Sequence, residues 1–188
     1  MRNEPSVVMA TGGDTVAFGS RLGFDDFYRA ELPHLVTLAR ALCGTAVADD
    51  VAQEAMLAAY RRWRHVGDLE HPEAWARRTC ANLAVSQHRR KLVELRALTR
   101  LSSRRQAPAL KPADDAFWAA VRRLPRRQAQ AAALRYLYEL DVGDIARTLE
   151  ITEGSVKQHL SRARARLVRE LNLTDERHPT QSTEEVEP

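Results

Sequence analysis

Apolar residues recur every three or four positions over most of this 188-residue chain, and no segment alternates as a strand would. Phe24, Phe27, Tyr28, Leu35, Leu38, Ala39 and Leu42 make one helical stripe, and Gly44 supplies a stop. A second amphipathic segment opens at Asp49 or Asp50 and runs to about Arg64, with Ala52, Met56, Ala59, Tyr60 and Trp63 on its inner side. HVGDLEHP (65–72) has the Gly, Asp and Pro content of a loop. Pro72 suits the first turn of a third helix, which runs through Trp75 to about Lys91 with Arg and His on its polar side. LVELRALTRLSSRRQAPALKPA (92–113) then loses the amphipathic order and reads as an extended basic linker. Helical order returns in DDAFWAAVRRL from Asp114, again after Pro125 through Tyr138, and in two final segments. The pattern predicts an all-α chain of two small helical domains, 21–91 and 114–171, joined by the linker 92–113. Residues 1–20 read as a disordered N-terminal extension and 172–188 as a disordered acidic tail.

The two final segments have a particular form. In DVGDIARTL (141–149) Val142, Ile145, Ala146 and Leu149 share a face, Asp141 is placed to cap the N-terminus, and Asp144 lies in the first turn. The period breaks at EIT, and Thr152 is placed to cap the second helix. In EGSVKQHLSRARARL (153–167) Val156, Leu160, Ala163 and Leu167 form the buried stripe. Opposite it lie Gln158, Ser161, Arg162 and Ala165, with Lys157 and Arg164 on the flank. After Glu153 this helix carries no acid, although like charges four apart repel. An αα-hairpin with a solvated basic face would explain the stripe but not the missing acids. Gln and Arg bond bidentately to base edges, Lys and Ser reach phosphates, and Ala165 permits close approach. The pair is a helix-turn-helix whose second helix suits a DNA major groove.

Charge changes the picture by where it falls. Lys+Arg 29 against Asp+Glu 25 gives only +4, but 122–135 holds five arginines and no acid, and 155–169 five cations and no acid. Clustered basic surface of this kind points to a polyanion, and the helix-turn-helix makes that DNA. Cys43 and Cys80 lack the CxxC spacing of a zinc site and read as small buried thiols, with a single disulfide as the alternative. No apolar run reaches transmembrane length and no signal-peptide pattern opens the chain, so a cytoplasmic protein without membrane insertion is expected. His34, His65, His71, His88, His159 and His178 have no metal-binding spacing, and no phosphate loop or nucleophile motif occurs. An enzyme, a metal and a cofactor are therefore not expected. His71 and His159 read as surface or DNA-side residues.

Taken together these blocks resemble a bacterial RNA polymerase sigma factor of the extracytoplasmic-function type, the minimal two-domain class of the sigma-70 family. Leu124-Pro125, Leu134-Arg135-Tyr136, Ile145-Ala146, Gly154-Ser155-Val156-Lys157 and Arg162-Ala163-Arg164 are similar to the family's region 4. Ser155 replaces the usual Thr and keeps a hydroxyl near the helix N-terminus. The resemblance implies recognition of the promoter −35 element by Ser155, Lys157, Gln158, Ser161, Arg162 and Arg164. Asp49-Asp50 with Gln53-Glu54 resembles the acidic helix that grips the clamp helices of the polymerase's largest subunit. HPEAWARRTCANLAVSQHRR (71–90) resembles the segment that recognises and opens the −10 element, with Arg77, Arg78, Asn82, His88, Arg89 and Arg90 facing DNA. The loop before it, about 65–71, would capture a flipped base. Trp75 reads as core before it reads as a stacking platform. Ser86 departs from the pattern, standing where most relatives carry Asp. The implied partners are core RNA polymerase, through the clamp helices and, for region 4, the flap, together with promoter DNA and an anti-sigma factor. A helix-turn-helix regulator that acts without polymerase is the alternative.

Overall fold

The computed structural model describes residues 23–101 and 113–171, and the side chains of 23–94 and 116–171 among them. The expected N-terminal extension, the acidic tail and residues 102–112 of the expected linker lie outside the described residues. Every regular element among the described residues is a helix: α1 (Phe24–Cys43), a 3-10 turn (Thr45–Val47), α2 (Ala48–Arg61), α3 (Trp63–Val66), α4 (Pro72–Leu101), α5 (Ala113–Arg123), α6 (Arg126–Tyr138), α7 (Val142–Leu149) and α8 (Glu153–Glu170).

In the first half, α1, α2 and α4 pack against one another. Their stripes meet over Leu35, Leu38, Leu42, Val51, Met56, Ala76 and Ala81, all buried. Gly44 ends α1 at φ 85°, a conformation open to glycine, and its N–H donates to the Arg40 carbonyl at 3.0 Å. Three boundaries differ from expectation. First, α2 begins at Ala48 and has no side-chain cap, so Asp49 and Asp50 lie in its first turn, where the helix dipole favours them. The expected continuation to Arg64 breaks at Arg62 into the single turn α3, closed by the Gly67 N–H on the Trp63 carbonyl at 2.8 Å. A Cβ at Gly67 would meet the Trp63 backbone and ring at 3.0 Å, so the turn takes glycine. Lastly, α4 runs past Lys91 to Leu101, through ten residues expected in the linker. Leu, Glu, Arg and Ala are strong helix formers, and neither Pro nor Gly interrupts them before Pro108.

In the second half, α6 lies at the centre and touches α5, α7 and α8 as well as α1 and α4. Residues 128–134 of α6 are buried throughout. Its Ala129, Ala132 and Ala133 belong to the same apolar cluster as the α1–α2–α4 core. Ala131 and Leu134 face a separate cluster with Ile145, Leu149 and Val156. Both caps of the helix-turn-helix form as expected: Asp141 Oδ1 accepts from the Asp144 N–H at 2.7 Å, and Thr152 Oγ1 from the Ser155 N–H at 3.2 Å. Glu150 ends α7 at φ 52°, in the left-handed region. The two halves are thus in contact, α5 and α6 on α1, α6 and α7 on α4.

Candidate nucleic-acid interface

Burial of Val156, Ala163 and Leu167, with Leu160 half-buried, fixes which way α8 faces. Lys157, Gln158, Ser161, Arg162 and Arg164 are all exposed on the side turned from the core, with the small Ala165 among them. Ser155 is half-buried, and its hydroxyl lies 2.9 Å from that of Thr152 at the helix start. Lys157 approaches Glu153 at 4.0 Å, one turn away on the surface, and remains available. From Lys157 to Arg164 this is a cationic, hydrogen-bonding face of the kind a major groove admits, with Val168, 40 % exposed, beyond its C-terminal end. His159 departs from its expected surface place. It is half-buried, its Nδ1 has no hydrogen-bond partner, and burial with Arg127 and Arg162 nearby lowers its pKa.

The α4 residues are placed differently. Arg89 and Arg90 are exposed, but Arg77, Arg78 and Asn82 are each engaged. Arg77 makes a two-pronged pair with buried Glu31, Nε–Oε1 2.7 Å and Nη2–Oε2 3.2 Å, and lies 4.6 Å over the Tyr138 ring. Arg78 pairs with Glu150. Asn82 Oδ1 accepts from Arg126 and, at 2.9 Å, from Gln130. His88 is half-buried with an unpartnered Nε2, and burial beside Arg122 and Lys91 lowers its pKa. Ser86 turns back on its own helix, its hydroxyl donating to the Asn82 carbonyl at 2.8 Å. Trp75 packs against the core, the reading expected of it. It also lines a cavity of about 250 Å³ between the loop Leu69–His71, the start of α4 and the end of α7.

On α2, Asp49, Asp50, Gln53 and Glu54 are exposed along one side. Tyr60, expected on the inner side, is instead 60 % exposed, with its ring 4.9 Å from that of Phe24. Leu57, 45 % exposed, joins it. Gln53, Leu57 and Tyr60 follow the i, i+4, i+7 spacing, so the acidic row continues as an apolar one, a feature the periodicity missed.

The sequence of these elements, all-helical with a helix-turn-helix at the end, is shared with known proteins. Residues 27–92 match Sigma-70 region 2, and residues 114–167 match Sigma-70, region 4. The chain is 33% identical over 156 residues to the ECF RNA polymerase sigma factor SigM of Mycobacterium tuberculosis, covering 80% of this chain and 78% of that one. The chain belongs to the sigma-70 family, in its ECF class. The RNA polymerase sigma-E factor of Streptomyces coelicolor is 31% identical over 160 residues, 84% of this sigma factor and 90% of that one. The fold is shared with the sigma factor RpoE of Bartonella quintana, solved in complex with the anti-sigma factor NepR. The TM-score is 0.60 at 24% identity, over 80% of this chain and 97% of that one.

As a sigma factor it binds core RNA polymerase and promoter DNA and directs promoter-specific transcription initiation. Among the described residues no group of His, Cys, Asp and Glu could hold a metal ion, and no helix is long and apolar enough to cross a membrane. Cys43 and Cys80 are free and buried, and burial pushes the Cys43 thiol up to about 11.

Proposed function

We propose a residue-level division of labour for this sigma factor. A unit at 21–91 reads and opens the −10 element through Arg77, Arg78, Asn82, His88, Arg89 and Arg90. A unit at 114–171 reads the −35 duplex through Ser155, Lys157, Gln158, Ser161, Arg162 and Arg164, and 92–113 joins the two. Asp49, Asp50, Gln53 and Glu54, extended by Leu57 and Tyr60, dock on the clamp helices, while region 4 meets the flap. The observation that carries this reading is the outer face of α8, exposed, cationic and amide-bearing over an apolar inner stripe. The protein has no catalytic step of its own and works in the cytoplasm beside polymerase. An anti-sigma factor is a further partner, by likeness to the Bartonella quintana complex.

Mechanistically, opening a duplex costs stacking energy, and a flipped base is held by polar or aromatic side chains beside a basic groove. The cavity beside Trp75 and the 69–71 loop is the candidate receptacle, and the arginines of α4 supply the groove. Duplex binding by α8 fixes register and orientation, so that the melting face meets the right bases.

Run-off transcription with core polymerase on genomic fragments tests the scheme, and start sites mapped from the products give both elements. With those in hand, Arg162→Ala is expected to lose on the order of 1–3 kcal/mol on the matched −35 sequence and far less on a scrambled one. Lys157→Ala is expected to weaken both alike. Equal loss on the two sequences for Arg162→Ala would sink the base-reading role.

A further inference from the structure

We infer that the acidic segment 172–188 of this sigma factor docks back into a groove along α8 and there competes with DNA for the recognition helix. The competition rests on the proposed DNA-reading role of Lys157, Ser161 and Arg164.

The groove, about 550 Å³, lies between the start of α7 and one flank of α8. Its floor is Val142, Leu160 and Val168, and Lys157 and Arg164 stand on its rim. Lys157, Ser161, Arg164 and Val168 succeed one another at helical spacing, so rim and floor run along the helix together. Such a surface suits an extended segment with an apolar side chain set among acids. A DNA backbone would meet the rim's charge and leave the floor unmatched. The charge is also unanswered: among the described residues Arg162, Arg164 and Arg166 have no ion pair, and Lys157 has Glu153 alone, at 4.0 Å.

The chain carries a segment of this description. Residues 172–188 hold Asp175, Glu176, Glu184, Glu185 and Glu187 against one arginine, and Val186 stands between Glu185 and Glu187. Their starting point is Leu171, three residues past Val168 on the helix that forms the groove. Lys157, at the far end, lies about 21 Å back along α8. Val186 is 15 residues past Leu171, and a connector of that length spans about 50 Å when extended and roughly 22 Å on average when unconstrained. The average matches the distance to be covered, which is where tethering is most effective. With an effective concentration on the order of millimolar, a contact too weak to form between separate molecules is populated within one chain. Glu153 repels acids at the Lys157 end, so Val186 settles over Leu160 and Val168 with its glutamates toward Arg164.

Lys157, Ser161 and Arg164 cannot serve the segment and DNA at once. Docking therefore scales the affinity of α8 for every duplex by the undocked fraction, matched and scrambled alike. The base preference of the helix is unchanged, while free sigma factor is kept from lingering on DNA at large.

A nitroxide on a cysteine introduced at Ser182 reports where the segment lies, since Cys43 and Cys80 are buried. In the full-length chain it is expected to broaden the NMR amide signals of Val142, Leu160 and Ser161. Arg123, which meets Glu170 near the end of α8 but off the groove, is expected to stay sharp. Two variants divide the contact: Glu184→Gln with Glu185→Gln and Glu187→Gln removes charge, and Val186→Ser removes the apolar side chain alone. Each is expected to relieve the broadening and to tighten binding of a fluorescein-labelled duplex of randomised sequence, on the order of fivefold for the glutamine variant. Val186→Ser is expected to act in the same direction with every acid retained, which simple repulsion between segment and DNA would not produce.

Sharp signals at Val142 and Ser161, or broadening at Arg123 instead, overturn the docking and leave the groove to another protein. Broadening that appears only between a labelled and an unlabelled molecule overturns it in favour of a second copy's segment. Docking without tighter DNA binding in either variant overturns the competition and places the fault in the assignment of α8, which the −35 comparison with Arg162→Ala judges separately.

Discussion

Glu31 occupies the position between Phe27 and Leu35 on the inner stripe of α1, where its neighbours four residues away are apolar and buried. Glu31 is only 6 % exposed, and Arg77 answers both of its carboxylate oxygens from α4. An acid in an apolar stripe is a signal visible in the sequence, but its partner lies 46 residues away and no periodicity names it. Breaking such a pair from one side leaves a largely desolvated guanidinium, which is worse than never having had the pair. Glu31→Ala is expected to destabilise the chain by on the order of 3 kcal/mol, read as a lower midpoint in urea unfolding at unchanged slope. A loss near zero would mean that the cation–π contact with Tyr138 holds Arg77 alone. Lys157, Gln158, Ser161, Arg162 and Arg164 of α8 are legible for the opposite reason: each faces solvent, so its placement depends only on phase within one helix.

Helices are legible where one face is apolar and ends are capped by their own side chains. The α7–α8 pair has both, and Asp141 and Thr152 cap where the sequence puts them. Asp141→Ala is expected to cost about 1 kcal/mol, seen as a lower melting temperature, with the Asp144 N–H left to solvent. An unchanged melt would show that Asp144 alone satisfies the helix start. Element bounds are lost where no such marker exists. The continuation of α4 to Leu101 rests on propensity without an amphipathic stripe, so the loss of pattern at Lys91 imitates the end of a helix. The central helix α6 has the reverse problem. Buried on several sides, it shows alanine and glutamine where a stripe would show leucine, and Gln130, 0 % exposed, looks like a surface residue in the sequence.

Across the whole molecule, two half-buried histidines link stability to pH. His88 and His159 each have a ring nitrogen without a partner and a pKa lowered from 6.5 by burial and by neighbouring cations. The unfolded chain therefore takes up protons at a higher pH than the folded one. Their contribution is complete above about 6.5 and is lost as pH falls through the lowered values. The unfolding free energy is expected to decline on acidification from about pH 7 to about pH 5 in the native chain, and less steeply in His88→Gln with His159→Gln. Equal slopes in the two proteins would assign the acid sensitivity to carboxylates instead.

The overall arrangement is legible as two helical units and a helix-turn-helix, because local pattern is enough for that. Contact between the units is not, since Arg126, Gln130, Tyr138 and Glu150 carry no mark of a distant partner in their own neighbourhood.

The composition of α6 has one more consequence. Ala129, Ala132 and Ala133 join the apolar cluster shared with the first half, with Leu137 and Tyr138 packed against it and Gln130 beside them, whereas Leu134 stays with α7 and α8. Three small side chains let α6 approach its neighbours closely, and its larger contacts with that cluster are gathered in the last turn. Volume added at Ala132, 0 % exposed, would therefore be felt in both halves at once.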